Sequence, residues 1–143
     1  MAAHDLYMYL ISHNRTDIKT HTYIGCVRDF NKRLQQHNGQ LSGGPRVTKR
    51  AAGSWDPVII IKLPKDRTFD SKQLKKEWKQ SSRGINSRIK KGFAIAYKYK
   101  LTCYIMKSPR IASNVLKILT TKWKGEKVQM TKKDWHKLFK DNA

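Results

Sequence analysis

The chain has 143 residues, with 31 Lys and Arg against 10 Asp and Glu, for a net charge of +21. That length suits one domain with a buried core, and that charge calls for strongly anionic partners such as nucleic acid. Cys26 and Cys103 are too few for a zinc site, the N-terminus lacks the apolar core of a secretion signal, and no apolar run is long enough to span a membrane.

The first strand is expected over residues 6–11, an aromatic and apolar run too short for a free-standing helix. A second is expected over 20–26, with the polar stretch 13–17 as the turn of an antiparallel hairpin. Asp29 is placed to cap a helix that stops at Asn38-Gly39. Residues 41–54 combine Gly43, Gly44, Pro45 and Gly53 with Arg46, Lys49 and Arg50, and read as a flexible basic loop. Four β-branched residues, 58–61, predict a buried central strand that Pro64 closes. Asp70 caps the next helix, with Gln73 as reciprocal partner, Phe69 as staple, and Leu74 and Trp78 as its buried stripe.

Residues 83–92 read as polar and basic, and 93–106 as a helix ending before Pro109. The alternation over 115–123 predicts a fourth strand, and Thr131 to Asp134 a capping box for a terminal helix through Trp135, Leu138 and Phe139. No acidic residue lies between Glu77 and Glu126, where twelve Lys or Arg fall. Trp78, Tyr97, Tyr99 and Tyr104 interleave with those cations, a pattern suited to nucleic acid.

Phosphodiester hydrolysis needs an activated nucleophile, charge relief on the phosphoryl oxygens and help for the leaving oxygen. Ten scattered carboxylates are poorly placed for a two-metal cage, so one metal held by one carboxylate is the feasible design, with Glu77 the best candidate. Arg33 and His37, four apart, share a helix face. Taken singly, Glu77 and Arg33 would be surface residues, His37 a helix cap, and Tyr9 and Tyr23 ordinary strand aromatics.

Taken in order, these residues resemble the GIY-YIG nuclease domain. Tyr23-Ile24-Gly25 matches the second half of the motif, and Tyr7-Met8-Tyr9 stands in the place of the first, fourteen residues upstream from tyrosine to tyrosine. Arg33 falls at the family's arginine, His37 at its histidine and Glu77 at its metal-binding glutamate. Residues 33–39, Gly43-Gly44, Thr48-Lys49-Arg50, Trp55 and Glu77-Trp78 are similar to the Slx-type subgroup of structure-selective endonucleases, over roughly residues 6–123. Tyr7 replaces the glycine that opens the first motif. The chain also has neither the length nor the cysteines for that subgroup's C-terminal RING, which implies a stand-alone nuclease, of a virus or mobile element, with no RING-mediated scaffold partner.

The resemblance implies an α+β fold: a small, mostly antiparallel sheet (the N-terminal hairpin plus a third strand) flanked by helices, with a C-terminal helical or strand extension. A single domain is expected over 1–143, its core about 5–82 and a basic extension over 83–143. The implied activity is metal-dependent cleavage of branched double-stranded DNA: Holliday junctions, flaps or forks, in repair, recombination or viral genome processing. One Mg²⁺ or Mn²⁺ would sit on Glu77, with Tyr9, Tyr23, Arg33 and His37 catalytic. The sequence leaves open whether Tyr9, Tyr23 or His37 is the general base. Arg46, Lys49, Arg50, Lys79, Arg83, Arg88, Lys90 and Lys91 are the expected DNA contacts. Two alternatives are a homing- or phage-type GIY-YIG endonuclease without branch preference, and a non-catalytic DNA-packaging protein. The expected location is the nucleus or a viral replication site, with no membrane partner; a homodimer is compatible with the sequence.

Overall fold

The computed structural model describes residues 6–18, 21–65, 67–106 and 127–130. Strands β1 (Leu6–Ser12) and β2 (Thr22–Val27) form the N-terminal hairpin, with Tyr9 opposite Gly25 and Ile11 opposite Tyr23. Strand β3 (Asp56–Leu63) pairs antiparallel with the other edge of β1, placing Ile60 opposite Tyr9. Strand β4 (Cys103–Met106) pairs antiparallel with β3, and β5 (Lys127–Met130) runs parallel to β4. The order β2-β1-β3-β4-β5 is the small, mostly antiparallel sheet of an α+β fold.

Side chains alternate across a strand, so the sheet sorts them onto two faces. Tyr7, Tyr9, Ile11 and Ile60 line one face and pack with Phe30 and Leu34 of helix α1 (Phe30–His37). Ala51 and Trp55 complete that cluster from the connection holding α2, a single turn at Arg46–Lys49. Met8, Leu10, Ile24, Ile59 and Ile61 line the opposite face. They meet Leu74 and Trp78 of α3 (Ser71–Lys79) and Ile89, Phe93 and Ala96 of α4 (Gly84–Lys98). Both faces of β3 are covered, which is why its sequence is an unbroken apolar run rather than an alternation.

The helix starts follow the expected caps. The Asp29 carboxylate accepts the Lys32 amide at 3.1 Å, and Asp70 accepts those of Lys72 and Gln73, caps worth about 1 kcal/mol each. Asn38 ends α1 and Gly39 follows at φ 74°. The expected loop 41–54 differs by its one turn of helix.

The expected helix over 93–106 is corrected: α4 begins at Gly84, ends at Lys98, and residues 103–106 are strand. The start is hidden because Arg83 supplies no side-chain cap. The end is hidden because Lys100, not glycine, takes the left-handed position at φ 55°. Its amide bonds to Tyr97 O at 3.2 Å and that of Leu101 to Ala96 O at 2.8 Å, the pairing of a Schellman motif. Arg67 holds the carbonyls of Tyr99 and Lys100. The strand expected over 115–123 and the terminal helix after Thr131 lie outside the described residues.

Candidate active site

Tyr9 and His37 meet under α1, where both side chains are buried. The Tyr9 hydroxyl lies 2.7 Å from His37 Nε2, and His37 Nδ1 lies 3.0 Å from Thr48 Oγ1. Thr48 Oγ1 is itself 3.0 Å from the carbonyl of Pro45. A carbonyl only accepts, so the single hydroxyl proton of Thr48 goes to Pro45. Thr48 Oγ1 must then accept from His37 Nδ1–H, which leaves Nε2 unprotonated and accepting from Tyr9. The chain of bonds thus fixes the tautomer and turns the proton-accepting nitrogen toward the phenol.

Glycine at 25 belongs to the same construction. A Cβ there would overlap the hydroxyl and ring of Tyr9, which lies across the backbone of the neighbouring strand. Phe30 packs against Tyr9 with centroids 5.0 Å apart, and Tyr23, half-buried, lies tilted against His37 with centroids 4.8 Å apart. Asn38 holds the far side: its Oδ1 accepts the amides of Gly53 and Trp55, and its Nδ2 donates to Trp55 O. Trp55 Nε1 then donates to the carbonyl of Thr48 at 2.9 Å.

Burial pushes the Tyr9 phenol well above its usual range, with Tyr23 adding to the rise and Arg33 opposing it. Burial, then the nearby Arg33 charge, lowers His37 to about 4. At neutral pH the pair is therefore phenol and neutral imidazole. A histidine depressed in the fold resists the proton that the unfolded chain takes up near pH 6.5. Stability is thus intact above about pH 6.5 and is lost as pH falls toward 4, by roughly 3 kcal/mol in all. Urea unfolding at pH 7 and pH 4.5 should show this loss in the native chain and a smaller one in His37→Gln; equal losses would place the titration elsewhere.

Thr48 was not among the sequence-predicted site residues. Its signals are a hydroxyl amid the cations of a glycine-rich loop and its place in the Thr48-Lys49-Arg50 run that resembles the Slx-type subgroup. Thr48→Val keeps the shape but removes the acceptor for Nδ1–H, so the tautomer is no longer fixed. The expected result is a roughly 10- to 100-fold lower turnover with little change in substrate affinity, restored by Thr48→Ser. A variant with native turnover would show that the bond is structural.

Arg33 and His37, one turn apart on α1, both reach this cluster. Arg33 Nη1 donates to Gln36 Oε1 at 2.9 Å and to the Gly43 carbonyl at 3.2 Å, while Gln36 Nε2 holds Ser42 O. Those bonds anchor one corner of the guanidinium and tie the glycine-rich loop to the helix.

Glu77 is placed differently. It sits on α3, on the opposite side of the sheet from Tyr9, with Oε1 2.9 Å from Lys98 Nζ and Oε2 2.8 Å from the Tyr99 hydroxyl. The bond from Lys98 lowers its carboxyl below the usual range against a small opposing burial effect, and Tyr99 adds to the lowering. Among the described residues, no group of three or more His, Cys, Asp or Glu side chains gathers as a metal site.

Of the expected DNA contacts, Arg46, Lys49, Arg50, Lys79, Arg83 and Lys90 are exposed, and Lys91 is half-buried. Arg88 is turned inward: it donates to Thr22 Oγ1 at 2.9 Å and to Ser82 O. Among the described residues no helix is long and apolar enough to cross a membrane.

The GIY-YIG catalytic domain matches residues 6–88, more than half of the chain, including the Tyr9–His37 pair, Arg33 and Glu77. The chain belongs to the GIY-YIG family. As a GIY-YIG nuclease domain it is similar to the structure-specific endonuclease subunit slx1 of Schizosaccharomyces pombe, 31% identical over 99 residues, covering 69% of this chain and 35% of that protein. It is also similar to SLX1 homologues of Caenorhabditis briggsae, 25% identical over 134 residues (87% of this chain, 29% of the relative), and Monosiga brevicollis, 47% identical over 38 residues (27% and 9%). The chain thus spans about a third or less of these curated relatives. GIY-YIG nucleases generally depend on a divalent metal ion.

Proposed function

We propose that this GIY-YIG chain is a structure-selective DNA endonuclease that hydrolyses phosphodiester bonds in branched DNA. The observation that carries the reading is the oriented chain Tyr9–His37–Thr48 beside Arg33, in a protein of net charge +21. The similarity to structure-specific endonuclease subunits supports the branched substrate.

Tyr9 is too basic to rest as a phenolate and too weakly acidic to lose its proton to bulk water. A relay avoids both difficulties. The phenol oxygen takes the proton of the attacking water as its own proton passes to His37 Nε2, so no free phenolate accumulates. Burial is the larger cause of the weak basicity of His37, and the Arg33 charge is the second. When the guanidinium pairs with the scissile phosphate, that repulsion is offset, and His37 becomes the better base when substrate is bound. Tyr23 borders the pair and orients the water or phosphate. Arg33 neutralises the phosphoryl oxygens as negative charge builds.

A divalent ion such as Mg²⁺ or Mn²⁺ would supply Lewis acidity for the departing 3′ oxygen. The ionised carboxylate of Glu77 is a hard oxygen donor suited to such an ion. Each of its oxygens keeps a lone pair beyond the bond it accepts, and Lys98 is 61% exposed and able to withdraw. By donor chemistry Glu77 would be its protein ligand, with water and phosphate completing the shell. Its bonds to Lys98 and Tyr99, on the face opposite Tyr9, keep it from the phosphate paired with Arg33 in this arrangement, so the Tyr9–His37 relay stands without it.

The test is to incubate a labelled four-way junction, a flap and a linear duplex of matched length with the chain, with and without Mg²⁺. Cleavage of the branched substrates in Mg²⁺ is expected. Equal cutting of linear duplex would favour a homing- or phage-type enzyme, and no cutting of any substrate would leave a binding protein.

The exposed cations of the α2 connection support backbone contact without base readout. Neutralising Arg46, Lys49 and Arg50 together should reduce the slope of log affinity against log salt by about 2 to 3, at about 0.9 per phosphate contact. The preference for branched over linear DNA should narrow as well. If slope and preference both stay native, the connection is not at the interface.

A further inference from the structure

The solvent side of α3 carries a row of four lysines. Lys72, Lys75, Lys76 and Lys79 recur at i, i+3, i+4 and i+7, the spacing that gathers residues into one stripe. Leu74 and Trp78 bury the other side of the helix, and the stripe lines a groove of about 680 Å³ with Gln80. At Lys79 the groove continues into a second, about 540 Å³, bordered by Ser81, Arg83 and Ser87 in the α3–α4 turn. The lysines crowd one another: besides partial burial, the charges of Lys75 and Arg88 depress Lys79. Such a concentration of like charge is held at a cost and is relieved by a polyanion. Seven residues of helix rise about 10 Å, which spans roughly three phosphates of one strand at about 3.4 Å of duplex axis each.

This surface and the Tyr9–His37 pair lie on opposite faces of the sheet. The strand between them at the sheet margin is β2, against which α3 packs. DNA that follows the surface from one to the other passes around that margin. A linear duplex, with a persistence length of about 150 bp, resists so tight a turn at a cost of several kcal/mol (roughly 1–6 for bends of 40–90°). A branch point supplies the turn without that cost.

We propose that the lysine stripe of α3, continued by the α3–α4 turn, seats a second duplex arm and is engaged together with the catalytic face only by DNA that changes direction at a branch. This rests on the endonuclease reading and adds to it the part of the surface that tells branched from linear DNA. Neither Lys72, Lys75 nor Lys76 belongs to the catalytic cluster, and the contact is electrostatic, so its signature is a salt dependence.

The experiment compares the full chain with the triple variant Lys72→Ala, Lys75→Ala, Lys76→Ala. Affinity for a four-way junction and for a linear duplex of equal length is measured across a salt series in EDTA, so that nothing is cut. The junction slope should fall by about 2 to 3, with the duplex slope changing by less than 1, and the junction preference should shrink. Arginine at all three positions should restore the native slope, which separates lost charge from a damaged helix. An unchanged junction slope, or an equal fall on both substrates, overturns the second seat. Cleavage by the native chain in Mg²⁺ is scored separately: its absence would count against the endonuclease reading, whereas native cleavage with unchanged slopes would remove only the α3 seat.

Discussion

Arg33→Ala should lower the single-turnover cleavage rate by roughly 10²- to 10³-fold, the usual cost of removing one preorganised donor from developing negative charge. Affinity for the same DNA should change little. Arg33 is one of 31 Lys and Arg, so its loss removes at most about one phosphate contact, a slope change of about 0.9. The asymmetry follows from position. Other cations would hold the backbone, but Arg33 shares a helix face with His37, and its bonds to Gln36 and Gly43 fix where the guanidinium points. Rate and affinity are read together from single-turnover cleavage across a DNA concentration series. A native rate with collapsed affinity would make Arg33 a tether and would remove it from the chemistry.

Glu77→Gln should abolish Mg²⁺-dependent cleavage while leaving DNA binding and folding close to native. An amide oxygen is a much weaker ligand for a hard divalent ion than a carboxylate. Folding should survive because the Lys98 partner is open to solvent, and such ion pairs contribute only about 0–1 kcal/mol. The Tyr99 hydroxyl can still donate to the amide oxygen. The check is cleavage at millimolar Mg²⁺ beside thermal unfolding of the same preparation. Retained cleavage would dismiss Glu77 as the metal ligand. This outcome has particular weight because the carboxylate bonds on the α3–α4 side of the sheet, away from the Tyr9 pair.

Most of the elements near the site were legible in the sequence, for local physical reasons. Alternation and β-branching mark β1, β2 and β3, and Asp29, Asn38-Gly39 and Asp70 mark helix ends through bonds that need only neighbouring backbone. The pairing of Tyr9 with His37 was accessible only through the ordered set of residues that resembles a family, because those partners are 28 positions apart. Thr48 stayed hidden since its role depends on how a one-turn helix folds back on His37. The join between α4 and β4 was missed because a lysine occupies the turn where glycine usually announces a helix end. The stripe of α3 is present in the spacing of its lysines, whereas Leu74 and Trp78 mark only the buried half of the helix. Arg88 shows the converse: within a basic run it reads as surface, while its guanidinium ties α4 to β2 through Thr22.

The single turn at Arg46–Lys49 sets Thr48 and Lys49 side by side: one is buried against the His37 imidazole, and the next is open to solvent. Grip and readiness are therefore thermodynamically linked. Any phosphate that steadies the outer side of that turn also steadies the acceptor that orients His37, and by reciprocity an oriented imidazole favours the gripping loop. If the α2 connection grips DNA and His37 takes the proton as proposed, salt acts twice: it strips DNA from the protein, and on the complexes that remain it loosens the turn that keeps His37 oriented.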